Sequence, residues 1–166
     1  MTIHQLTGPV LYCLGWALGN WWSRYHRYSE TEYRTLIERF ETEGIPFTVA
    51  VLDMDWHVTD PDPCYGSGWT GFTWNRTLFP DRNVSGMLHE RGLKTTLNLH
   101  PRDGIRAFED CYDRMARAVG VDSKSGSSIE FDASSPVFMS AYFDQIIHPM
   151  ESQGVDSGGS TGNKAA

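Results

Sequence analysis

Three stretches of the chain share one order of polar and apolar positions: FETEGIPFTVAVLD (40–53), LHERGLKTTLNLHP (88–101) and MESQGVDSGGST (150–161). In each, a charged helix end runs into Gly44, Gly92 or Gly154, and the apolar residue that follows opens a β run. Glycine takes the left-handed conformation that closes a helix, so the pattern predicts a repeated unit of helix, glycine and strand. Upstream of the first glycine, Ser29 with Glu32 three residues on forms a capping box. Tyr33, Leu36, Ile37 and Phe40 then recur at helical spacing, which predicts an amphipathic helix of roughly four turns. The run from Phe47 to Asp55 is almost continuously apolar at first, and Lys94 to Leu99 carries β-branched threonines. Strands of this kind alternating with helices predict a parallel sheet covered by helices. Val10 to Leu18 supplies an earlier strand that leads to an aromatic rim of Trp21, Trp22, Tyr25 and Tyr28. After His100-Pro101 the pattern predicts an acidic helix from about Ile105 to Val119, a polar loop, and a second helix from about Pro136 to Gln153.

A fourth strand is due after Gly154, but the chain turns there into SGGSTGNKAA, which has no large apolar residue. The expectation is therefore an α/β architecture with three β/α units and an additional helix, truncated before strand 4. Residues 1–156 form the front part of a larger domain, and residues 157–166 are a flexible tail arising as a linker, a cloning remnant or a misread end.

Composition narrows the function classes. The 166 residues are 40% hydrophobic and 13% aromatic, a globular composition, and many of the six Trp and seven Tyr stand beside glycines or charges where they suit stacking surfaces. Fourteen basic against 21 acidic residues leave a net charge of −7 with no basic run, so a nucleic-acid partner has no electrostatic footprint. Cys13, Cys64 and Cys111 are odd in number and widely spaced, which predicts free thiols and not a disulfide framework or zinc site. The nearly uncharged run Leu6 to Trp22 is interrupted by glycines, a proline and polar residues, and is read as neither a membrane span nor a signal peptide. Two sequons, Asn75-Arg76-Thr77 and Asn83-Val84-Ser85, locate nothing by themselves, and the compartment stays open.

The stretch VAVLDMDWH (49–57) carries the candidate chemistry. Strand alternation puts Val49, Val51, Asp53, Asp55 and His57 on one side and Ala50, Leu52, Met54 and Trp56 on the other. Both aspartates then point the same way at the carboxyl end of a strand, where α/β folds place ligand sites. A buried carboxylate needs hydrogen-bond donors, and sugar hydroxyls are suitable ones. The structural reading is that Asp53 and Asp55 cap a loop or pair with an arginine such as Arg24 or Arg102. A metal reading gathers Asp53, Asp55 and His57, with His100, around a divalent ion. Further along, Trp69, Phe72 and Trp74 of the loop YGSGWTGFTWN (65–75) offer a platform for a sugar ring. No local feature would activate Cys64 or Cys111 as a nucleophile.

The runs ALGNWWSRYHRYSE, GIPFTVAVLDMDWH, GWTGFTWNRTLFPD and HERGLKTTLNLHP, in that order, resemble the opening of the catalytic barrel of glycoside hydrolase family 31, which contains α-glucosidases and α-xylosidases. The resemblance covers residues 8 to 156 and implies a partial TIM (β/α)8 barrel, a fold of about 250 residues when whole. It implies a retaining α-glycosidase that hydrolyses an α-linked oligosaccharide or glycoside and needs no cofactor, with the remainder of the barrel as partner. The family's nucleophile and acid/base are expected on later strands, so the chain alone is expected to be inactive. Onto matching positions the resemblance carries sugar-binding roles: Asp53 for hydroxyls far from the scissile bond, Met54 and Leu99 as apolar walls, and Tyr25 as an aromatic wall. Asp55, Trp56 and His100 match motif positions nearby, and Trp69 joins them from the aromatic loop. Asp53 and Asp55 lie two residues apart on one strand, roughly 6.5 Å between Cα atoms, and project from one side. A retaining pair must flank the bond, so they are read as grips on the sugar. The competing class is a non-catalytic carbohydrate-binding protein, with a metal-dependent hydrolase behind it.

Overall fold

A computed structural model describes residues 14–81 and 83–160. Four parallel strands lie in the order β1 (Trp21–Trp22), β2 (Val49–Leu52), β3 (Lys94–Leu99) and β4 (Ser157–Ser160). The registers are Trp21 opposite Val49, Val49 opposite Lys94, and Thr96 opposite Ser157. Connecting them are α1 (Glu30–Thr42), α2 (Val84–Glu90), α3 (Tyr112–Val119) and α4 (Pro136–Tyr142). The last of these continues through a π-helical stretch, Phe143–Ile147, into α5 (His148–Ser152).

The helix, glycine, strand unit is present at all three predicted places. Gly44, Gly92 and Gly154 have φ of +66°, +74° and +93°. The residue after each glycine donates its amide five residues back into the helix: Ile45 to Phe40 O, Leu93 to Leu88 O and Val155 to Met150 O. That bond turns the chain off the helix end and aims it into the sheet. The capping box at Ser29 is complete, with both reciprocal bonds to Glu32.

Ala50, Leu52, Leu97 and Leu99 pack with Tyr33, Ile37, Met87 and Leu88 in the main core between sheet and helices. The Tyr33 hydroxyl, buried there, donates to Val51 O at 3.1 Å, and its burial pushes the phenol pKa upward. In α5, Pro149 has no N–H for the Gln145 carbonyl. Arg114 takes that oxygen at 3.4 Å while the helix loosens to π geometry just before the proline.

Four sequence expectations are corrected here. The strand expected over Val10 to Leu18 lies partly outside the described residues. Its described end, Gly15–Leu18, is a 3-10 turn whose Trp16 carbonyl accepts the Thr48 hydroxyl, and pairing starts only at Trp21. The second strand ends at Leu52, because Asp53 turns its carboxylate onto the Met54 amide and caps a 3-10 turn, Met54–Trp56. The helix expected from Ile105 begins at Tyr112, since Ile105 exchanges both backbone bonds with Ile129 instead. The sheet does not stop before a fourth strand: Ser157–Ser160, read as tail, pairs along β3 from Thr96 to Leu99. Parallel pairing needs backbone donors and acceptors rather than large side chains, so apolar patterning could not reveal this strand.

The amino-terminal edge of the sheet is tied by Asp156, immediately before β4. Its carboxylate accepts from Lys94 Nζ at 2.8 Å, the Thr95 amide at 2.9 Å and His89 Nε2 at 2.6 Å. Burial alone would raise this carboxyl's pKa, but the three donors outweigh it and hold the group below its ordinary value. A depressed folded pKa means that the contribution is present above the ordinary carboxylate range and lost as pH falls through the depressed value. Asp156→Ala is expected to lower unfolding free energy by about 2 kcal/mol at pH 7, and by progressively less as the medium becomes acidic. Urea unfolding at several pH values measures this, and an equal loss at every pH would contradict it.

Candidate functional site

The carboxyl ends of β2 and β3 are joined across the strands by side chains. Asp53 Oδ1 accepts the Met54 amide at 2.7 Å and Asn98 Nδ2 at 2.9 Å. The backbone carbonyl of the same Asn98 accepts Trp56 Nε1 at 2.8 Å. Asn98 thus fixes both the carboxylate and the indole that frames it, and composition-based reading passed it over. Its signal was present: a polar residue inside the apolar run TLNLH, on the same strand face as Thr96.

Asp53 and Asp55 line one recess with His26, Tyr28, Trp56 and Phe79. Its volume is about 10 Å³, room for about one water molecule. Asp55 Oδ1 accepts the Thr59 hydroxyl at 3.1 Å, and Arg27, half exposed, stands 4.0 Å away. Arg27, and neither Arg24 nor Arg102, is therefore the nearby arginine. At that distance and exposure it restrains the carboxylate only weakly. Tyr25 is 69% exposed on the segment after β1, whereas Trp56 at 1%, Met54, Leu99 and His100 are buried behind the strand ends.

His57 is a structural residue of this arrangement. It is fully buried, its Nδ1 lies 3.0 Å from Val58 O, and a Cβ on Gly71 would come within 2.2 Å of that nitrogen. The backbone around it pairs antiparallel with the returning loop, Val58 N to Thr73 O and Asn75 N to Trp56 O. This corrects the metal reading: Asp53, Asp55, His57 and His100 do not converge, and among the described residues no group of three His, Cys, Asp or Glu side chains is placed to hold an ion. The aromatic platform is corrected as well. Phe72 and Trp74 belong to the core, Trp74 edge-on to Trp56 at 5.2 Å, and only Trp69 remains partly exposed, its ring 4.7 Å from that of His100.

Two buried charges shape the loop that carries Trp69, and sequence reasoning missed both. Arg106, 5% exposed, donates to the carbonyls of Tyr65, Ser67 and Thr70. Glu109, 4% exposed, accepts the Phe72 amide at 3.1 Å and the Thr73 hydroxyl at 2.6 Å. Burial raises the Glu109 carboxyl pKa, against the pull of these donors and of Arg106. The separation GIRAFED (104–110) carried no apolar or catalytic signature that marked these charges as internal. The free cysteines among the described residues are Cys64, exposed, and Cys111, buried, whose thiol pKa burial raises to about 12. Cys13 lies outside the described residues.

The family model for the glycosyl hydrolases family 31 TIM-barrel domain matches residues 13–156. Comparison with curated proteins gave no match. Among solved structures, the chain is similar to the α-xylosidase of that family from Xanthomonas citri, with 19% identity, 87% of this chain and 16% of that chain covered, and a TM-score of 0.60. It is similar to an α-xylosidase from a soil metagenome complexed with xylose at 15% identity, 86% and 21% coverage, and a TM-score of 0.63. A cycloalternan-degrading enzyme from Trueperella pyogenes shares 16% identity over 98% of this chain and 27% of its own, with a TM-score of 0.63. At these identities the likeness establishes the fold. The chain spans between 16% and 27% of the length of these solved proteins.

The buried imidazole gives a pH signature. Desolvation, partly offset by the Val58 carbonyl and reinforced by His100 and Arg106, lowers the His57 pKa from 6.5 to about 4. A histidine whose folded value lies below its unfolded one stays neutral while the unfolded chain protonates. Stability is therefore lost as pH falls from 6.5 toward 4, by roughly 3 kcal/mol in total. The ring resonances of His57 are expected to stay constant between pH 8 and pH 5 (roughly one unit above the folded value) in an NMR titration. A midpoint near the ordinary histidine value would contradict the burial argument.

Proposed function

The chain belongs to glycoside hydrolase family 31, and from that premise we propose that it supplies part of the sugar-binding subsite of a retaining α-glycosidase acting on an α-glucoside or α-xyloside. The observation that carries this reading is the Asp53 carboxylate, set at the carboxyl end of the sheet by Asn98 and the Met54 amide. A carboxylate held in this way is oriented before the ligand arrives and accepts hydroxyl donors in a fixed direction. In this reading Asp53 grips hydroxyls remote from the bond that breaks, with Asp55 beside it. Tyr25 and Trp69 offer ring faces to the apolar side of the sugar, while Met54, Trp56, Leu99 and His100 back the subsite.

Retaining hydrolysis needs a carboxylate nucleophile on one side of the anomeric carbon and an acid/base on the other, about 5–5.5 Å apart. Asp53 and Asp55 rise from one turn and line one recess, so they suit binding and not that division of roles. The two reacting carboxylates are assigned to the remainder of the barrel. A recess with room for about one water also implies that the full sugar pocket needs walls from that remainder.

Xylose is expected to bind the chain more weakly than about 1 mM, an energy under about 4 kcal/mol. Asp53→Asn is expected to weaken it by a further factor of about five, as one charge-assisted hydrogen bond becomes neutral. Aryl α-glucoside and α-xyloside are expected to remain unhydrolysed. Calorimetry and a release assay test both: turnover by the chain would overturn the assignment of the reacting carboxylates. Micromolar binding would instead favour a carbohydrate-binding protein.

A further inference from the structure

Beyond the strand-end recess, a cavity of about 420 Å³ opens between the turn after Asp62 and the connection that follows β3. Its lining includes Tyr65, Ser67, Asp103, Arg106 and Ser128. Pockets for small ligands begin at about 300 Å³, so this one has room for a sugar ring, which the recess beside Asp53 lacks.

The cavity is built on fixed backbone. Gly104 has φ of +69°, and a Cβ there would come within 2.0 Å of Ile129 O, so only glycine lets the chain close against the 128–130 segment. Ile105 and Ile129 then exchange both backbone bonds, and the Ser128 hydroxyl donates to Asp103 O at 3.3 Å. On the other wall, the Asp103 amide donates to the Thr70 hydroxyl at 3.1 Å. Arg106 binds the carbonyls of Tyr65, Ser67 and Thr70, so one guanidinium ties three loop positions to the β3 connection.

The same bonds define the ligand's chemistry. Arg106 directs NH1 and NH2 to peptide carbonyls, which removes the cation of the lining as a ready partner for a phosphate or carboxylate. What remains is the Asp103 carboxylate, the hydroxyls of Ser67 and Ser128, and the ring of Tyr65, itself 5.3 Å from Phe108. The carboxylate accepts, the Ser67 hydroxyl donates while its oxygen takes the Trp69 amide, the Ser128 oxygen accepts because its proton goes to Asp103 O, and the ring offers an apolar face, a set that matches a neutral polyhydroxylated ring.

We propose that this cavity is a second glycosyl subsite, taking a neutral sugar unit apart from the one at Asp53. It rests on the reading of the chain as part of a glycosidase, since the strand-end site and the cavity then serve different units of one oligosaccharide. The Asp53 carboxylate grips one unit at the strand ends, and the cavity favours longer substrates over monosaccharides.

The test is an NMR titration of the full chain with maltotriose, following backbone amides. Those of Gly66, Ser67 and Ser128 are expected to shift and saturate in the millimolar range. The response is expected to weaken about tenfold in Asp103→Ala, through loss of a hydrogen bond to a charged group. Tyr65→Ala is expected to weaken it also. Inorganic phosphate is expected to shift none of these amides. Shifts confined to residues 53–56 would overturn the cavity proposal and leave the strand-end reading standing. Shifts confined to the cavity would support the proposal and count against the strand-end reading. No response at either place, or an equal response to phosphate, would overturn the second subsite.

Discussion

Asn98 connects the two central strands where they leave the sheet, and the arrangement above the sheet follows from it. Its amide holds Asp53 and its carbonyl holds Trp56, so a single residue at the end of β3 fixes the direction of the turn that ends β2. Once Trp56 is placed, Trp56 and Val58 pair with Asn75 and Thr73 of the returning loop and bury His57 under Gly71. Arg106 and Glu109 then close the loop from the far side through five backbone and hydroxyl partners. The order runs from a strand-end amide to a carboxylate, an indole, a loop and a cavity.

The two ends of the sheet do different work. At the amino end, glycine-closed helices feed β2, β3 and β4 into place, and Asp156 ties β3 to the start of β4. These contacts concern stability. At the carboxyl end, the same strands finish in polar groups whose geometry is set by neighbours. Parallel α/β sheets divide in this manner, with packing at one end and ligands at the other. The four strands described here form an open sheet with β1 and β4 at its edges, and an eight-stranded barrel has no edges. The proposed need for the remainder of the barrel therefore has a basis in pairing as well as in catalysis.

Much of this was legible in the amino-acid order, for definable reasons. The glycine closures, the Ser29 capping box and the paired central strands rest on local rules, and the spacing of the residues expresses those rules directly. The recognition of the family rested on several motifs in order, and the matched region bears it out. The strand alternation failed beyond Asp53, because a carboxylate that caps its own next amide starts a 3-10 turn that apolar patterning does not register. β4 was missed because Ser157-Gly158-Gly159-Ser160 contributes backbone pairing without apolar side chains. Arg106 and Glu109 were missed because charged residues read as surface until a loop is seen to wrap them. The burial of Phe72 and Trp74, leaving Trp69 outside, depends on which side the loop returns, a tertiary choice.

The strand-end carboxylate fixed by Asn98 is proposed as a grip for a sugar. The most direct measurement is a crystal structure of the chain with xylose at high concentration. A sugar hydroxyl is expected within hydrogen-bond distance of the Asp53 carboxylate, with the Asn98 amide still bound to Oδ1. A sugar bound only elsewhere, with the Asp53 carboxylate turned away to another protein group, would contradict it.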